Sequence, residues 1–67
     1  MASLQERLIK ARKRRRLTQA QMAVRCGVSQ SAVSLWEAGK AGPIRHVEEV
    51  EREYGVRISR DELIEAG

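Results

Sequence analysis

The chain has 67 residues, with 13 Lys/Arg, nine Asp/Glu and one cysteine, for a net charge of +4. That length suits one domain with a small core. One cysteine excludes an internal disulfide, no apolar run approaches the ~20 residues of a membrane span, and no stretch reads as a signal peptide, so a reducing cytoplasmic setting is expected.

In chain order, Ser3 and Glu6 have capping-box spacing and predict a first helix from Leu4, with Leu4, Leu8 and Ala11 facing inward. The run Lys13 to Arg16 places positive charge at that helix's C-terminus, where it either complements the helix dipole or meets phosphate. Leu17 returns the chain to the core. Thr18 with Gln21 forms a second capping box, and Met22, Ala23 and Cys26 share one face of the helix it opens. Gly27 sits where a left-handed residue would end that helix. Val28 fills the corner, Ser29 is a good N-cap, Val33 and Trp36 face inward, and Gly39 closes the unit. Two short helices around a tight turn make a helix-turn-helix, whose second helix can enter the DNA major groove.

After a short loop, Pro43 fits the first position of a fourth helix. Ile44, Val47, Val50 and Tyr54 give that helix an apolar stripe, and Gly55 is its expected stop. Val56 and Ile58 fold back over the core. Ser59 with Glu62 opens a last short helix containing Leu63 and Ile64. The expected architecture is a single all-α domain, 1–67, with helices at about 4–14, 19–26, 30–38, 43–54 and 60–65. With only Trp36 and Tyr54 as aromatics, aliphatic side chains must build most of the core.

Charge is unevenly spread. Residues 1–40 hold nine Lys/Arg and two acids, a net +7, whereas residues 41–67 hold four and seven, a net −3. A basic front half and an acidic back half suggest a polyanion on one side only.

Leu17-Thr18-Gln19, the turn Gly27-Val28-Ser29-Gln30 and the ending Trp36-Glu37-x-Gly39 resemble the lambda-repressor-like helix-turn-helix family, the XRE/Cro/C1 group. The resemblance covers residues 4 to 66 and is strongest from 17 to 39. It implies a compact four- or five-helix domain, with the helix-turn-helix at helices 2 and 3, that binds operator DNA, usually as a dimer. It also implies a role for individual residues. Gln30 opens the recognition helix, and its amide can both accept from and donate to adenine. Ser31 and Ser34 face the same side and can bond a base edge or a phosphate. Leu35 either meets a thymine methyl or packs on a neighbouring helix. Gln19, at the start of helix 2, is expected on a phosphate or bracing the Gln of the recognition helix, with Thr18 beside it. Lys40, Arg45 and Arg14 are further phosphate candidates that would position the domain without specifying sequence. Arg12 and Glu37 match a pair that ties helix 1 to the recognition helix, and two solvated surface charges are the alternative. Two features depart from the pattern: Ala41-Gly42 replaces basic residues before the proline, and Glu51 stands where relatives place a small buried residue.

Catalysis is not expected. No glycine-rich phosphate loop or catalytic triad is present. His46 has only Glu49 at a ligand-like spacing, Cys26 reads as a core thiol, and neither a metal nor a cofactor is implied. The expected function is sequence-specific double-stranded DNA binding by a Cro-like repressor, dimeric on DNA and located with the nucleoid in the cytoplasm. Dimer contacts could come from Tyr54, Val56, Ile58 and Ile64, although filling the core is the other use for those residues. The alternative function is an antitoxin-type regulator whose acidic C-terminal half binds a partner protein.

Overall fold

The structure is a computed structural model that describes residues 2–66, with side chains through Leu63. Five α-helices follow in order: α1 Leu4–Arg14, α2 Gln19–Cys26, α3 Gln30–Ala38, α4 Val47–Tyr54 and α5 Arg60–Ala66. A 3₁₀ turn, Ile44–His46, precedes α4. No strand occurs among the described residues, so the all-α expectation holds.

Helix starts are set by side chains of the chain's own first turns. Ser3 Oγ accepts from the Glu6 N–H at 3.4 Å, and Ser29 Oγ accepts from the Ala32 N–H at 3.2 Å. Thr18 and Gln21 form a reciprocal box: Thr18 Oγ1 accepts from the Gln21 N–H at 3.1 Å, and Gln21 Oε1 accepts from the Thr18 N–H at 2.8 Å. Such caps satisfy N–H groups that a helix cannot satisfy internally.

Three helix ends share one closure, in which a left-handed residue is followed by an N–H that bonds back five residues. Gly27 and Gly39 supply it after α2 and α3, with φ of 72° and 74°. After α1 the same place falls to Arg16, at φ 58°, and the Leu17 N–H bonds to the Arg12 carbonyl at 3.2 Å. A side chain in that conformation costs about 1–2 kcal/mol. Arg12 helps hold the reversal, because its Nη1 donates to the Leu17 carbonyl at 2.9 Å.

Gly39 yields a direct test. A Cβ built there would lie 2.6 Å from the Gln5 amide nitrogen, which is the movable end of a flexible side chain. Backbone strain therefore dominates over the clash. Gly39→Ala is expected to lower stability by about 1–2 kcal/mol, read as a lower urea midpoint with an unchanged m-value.

Leu4, Leu8, Ala11, Met22, Ala23, Cys26, Val33, Trp36, Val50 and Tyr54 form the buried core, with Leu17, Val28, Val56 and Ile58 packed against it. All of α1 to α4 contribute to it. Tyr54 is fully buried, and Val56 and Ile58 lie half-buried on the core. Core filling is therefore their use, and Tyr54 is not available as dimer surface. Ile64, the fourth residue expected there, lies outside the described side chains.

The region around Pro43 corrects the sequence expectation. Pro43 is buried with ψ 52°, outside helical geometry, and α4 begins only at Val47. Neither Pro43 nor His46 supplies a side-chain cap, so nothing local fixes the earlier start. Ile44 is 62 % exposed, which leaves the inward stripe to Val47, Val50 and Tyr54. His46 instead lies beside the Trp36 ring, with centroids 6.1 Å apart.

Glu51 also finds a definite use. Its Oε2 accepts from the Ile58 N–H at 2.9 Å and so pins the segment that follows α4. Ser59 and Glu62 then cap α5 reciprocally, and Glu62 pairs with Arg7 of α1.

Candidate nucleic-acid interface

The outer face of α3 carries Gln30, Ser31, Ser34 and Leu35, all exposed. These positions lie one and four residues apart, opposite the buried Val33, Trp36 and Glu37, as a helix of 3.6 residues per turn requires. Gln19, the first residue of α2, joins them, and the five line one shallow surface hollow. Leu35 is 44 % exposed within it, so it lies at the surface and not in the core. Amide, hydroxyl and methyl groups are thus presented together on one exposed surface. That combination suits base edges, which offer acceptors, donors and thymine methyls in the major groove.

Below this face lies a polar knot. Arg12 of α1 holds Glu37 of α3 through Nε at 3.0 and 2.9 Å to the two carboxylate oxygens and through Nη2 at 2.9 Å to Oε1. Tyr54 of α4 donates its hydroxyl to Glu37 Oε2 at 2.7 Å, and Gln19 of α2 donates Nε2 to Oε1 at 3.3 Å. Glu37 is only 5 % exposed. One carboxylate therefore collects donors from the three other helices of the core. Burial pushes the Glu37 carboxyl up, but the donors from Arg12, Tyr54 and Gln19, together with the Arg12 charge, outweigh it and hold the group below its ordinary range. The same contact raises Arg12, and burial together with the Glu37 bond raises the Tyr54 phenol.

Two consequences were hidden in the sequence. Gln19 braces Glu37, and among the described residues no bond joins it to Gln30. Tyr54 read as an apolar stripe residue, yet its hydroxyl completes the knot. The amphipathic nature of buried tyrosine, which needs a partner for its O–H, is the one signal that could have pointed there.

The remaining expected site residues are dispersed. Thr18 flanks Gln19, with its hydroxyl oxygen already accepting in the α2 cap. Lys40 is exposed at the C-terminal end of α3, and Arg45 is exposed in the 3₁₀ turn. Arg14 lies apart from the hollow on α3. It is two residues from Arg12, hence about 160° around α1, and it lines a different hollow with Arg7, Lys10 and Arg57. Arg25 lies 3.9 Å from Glu53 of α4. His46 Nδ1 meets Glu49 Oε2 at 3.2 Å. Among the described residues no group of three or more His, Cys, Asp or Glu could hold a metal ion, and no helix is long and apolar enough to cross a membrane.

A helix-turn-helix family model, HTH_3, matches residues 8–60, most of the chain and all of α2, α3 and α4. The chain belongs to this XRE/lambda-repressor-like helix-turn-helix family. It is a family of DNA-binding regulators and not of enzymes, and membership makes this helix-turn-helix chain a sequence-specific DNA-binding transcriptional regulator. Comparison with curated proteins and with solved structures gives no match. Within the family frame, α2 and α3 are the motif, and Arg12, Gln19 and Tyr54 hold α3 in place through Glu37.

Proposed function

We propose that this regulator is a Cro-like repressor that occupies operator DNA with α3 in the major groove. Gln30, Ser31, Ser34 and Leu35 read bases, and Gln19, Thr18, Lys40 and Arg45 position the backbone phosphates. The observation that carries the reading is the exposed polar face of α3 joined by Gln19 from α2. Repression is steric: the bound protein excludes polymerase, with no cofactor required. A single recognition helix makes a small interface, so the DNA-bound form is a homodimer spanning half-sites about 34 Å apart. The cell compartment that follows from this role is the cytoplasm, at the nucleoid.

The antitoxin reading would give the acidic C-terminal half to a partner protein. Much of that acidity is already engaged within the chain. Glu49 meets His46, Glu51 takes the Ile58 N–H, Glu53 meets Arg25 and Arg52, and Glu62 meets Arg7. This favours the repressor.

Selection of sites from random duplex DNA at two salt concentrations tests the proposal. An inverted repeat with half-sites one turn apart supports it. Salt-sensitive binding with no enriched site sinks it and redirects attention to a protein partner. Lys40→Ala is expected to weaken all duplexes alike and to reduce the slope of log K against log salt by about one. Titrations of one specific and one scrambled duplex at several salt concentrations check this.

A further inference from the structure

A second hollow lies on the flank of α1 that faces away from Arg12. Arg7, Lys10 and Arg14 recur along α1 at helical spacing, and Arg57 approaches from the segment after α4. The hollow has a volume of about 230 Å³, and its apolar wall includes Tyr54 and Val56. Among the described residues, no carboxylate lines it. Arg7 meets Glu62 through its Nη2, but its Nε is buried and has no hydrogen-bond partner among the described residues. Arg15 adds a further guanidinium over Gly55, which also lines the hollow.

Arg12, Arg25 and Arg52 each meet a carboxylate. Here four cationic side chains line one concavity, and only Arg7 has an acidic partner among the described residues. Like charges gathered at one place repel, and a buried N–H without a partner is costly. The repulsion is relieved by a compact anion with several acceptor oxygens. Guanidinium forks match tetrahedral phosphate oxygens in geometry as well as in charge. The volume falls below the ~300–1,000 Å³ of drug-sized pockets, which selects a small occupant. None of these residues belongs to the hollow on α3.

We propose that this hollow is a phosphate-group site, separate from the recognition face, in which the side chains of Arg7, Lys10, Arg14 and Arg57 donate to the phosphate oxygens. The phosphate is either that of a small polyanion of the pyrophosphate class or that of the backbone of bound DNA, and the experiment separates these sources.

The test is an NMR titration of the full chain with pyrophosphate at constant ionic strength. Saturable shifts are expected at the amides of Arg7, Lys10, Arg14 and residues 55–57. Arg57→Gln and Lys10→Gln should each raise the pyrophosphate Kd about tenfold, the loss of one charge-assisted bond. Arg52→Gln, which removes the same charge outside the hollow, should leave it unchanged. Non-saturating shifts spread over all basic residues, or equal effects of Arg57→Gln and Arg52→Gln, overturn the site. A salt slope of DNA binding that falls by about one in Arg57→Gln assigns the phosphate to DNA. An unchanged slope with pyrophosphate binding lost assigns it to a free small polyanion.

Discussion

Arg12→Met is expected to lower the unfolding free energy by about 3–5 kcal/mol, the cost of leaving a buried charge without its partner. Glu37 would keep the donors from Tyr54 and Gln19 but lose three short contacts and the cation that makes them. The Leu17 carbonyl would lose its side-chain donor at the same time. A domain of this size has about 5 kcal/mol or less to lose, so the variant should be largely unfolded in modest urea. A fall of a few tenths of a kcal/mol would show that the pair behaves as solvated surface charge.

The pH dependence carries a sign that checks the mechanism. In the parent protein the folded Glu37 carboxyl lies below its ordinary range. Its contribution is therefore complete above the unfolded carboxylate value of about 4.3 and is lost as pH falls through the lower folded value. Without Arg12, burial acts with less opposition and the folded value rises. The stability gap between the two proteins should therefore narrow on acidification. Urea midpoints of both proteins from pH 7 down to pH 3 measure it, and a gap that widens would contradict the assignment to Glu37.

Gln30→Ala should weaken binding to the selected operator by about 1–3 kcal/mol and relax base preference at one position in each half-site. Stability should hardly move, because Gln30 is exposed and the α3 cap belongs to Ser29. The separation matters: Arg12→Met acts by unfolding, whereas Gln30→Ala acts on a folded protein. Affinities for a panel of single-base operator variants, measured at one salt concentration, decide it. Unaltered preference would remove Gln30 from the groove and with it the proposed orientation of α3.

The motif and its exposed face were legible because their determinants are local. Ser3, Thr18, Ser29 and Ser59 cap helices through residues three positions away, and Gly27, Gly39 and Gly55 supply the left-handed stops. Spacing along α3 alone puts Gln30, Ser31, Ser34 and Leu35 on the side away from Val33 and Trp36. The reversal at Arg16 was not legible, because the usual signal is glycine and none is present. The delayed start of α4 was obscured for a related reason. Proline fits a first helical turn in general, but this one is buried outside helical geometry.

The helix order, the caps of α1, α2, α3 and α5, the core stripes of α1 to α3 and the face of α3 that meets solvent follow from local signals in the chain, since each depends on residues within a few positions of one another. The packing of the helices is what gathers Arg12, Gln19 and Tyr54 on Glu37 and brings Arg57 to the hollow lined by Arg7, Lys10 and Arg14. Those partners are separated by 17 to 25 residues around Glu37. Which side chains meet across such distances depends on how the helices pack and on the cost of burying an unpartnered charge, neither of which has a period in the chain.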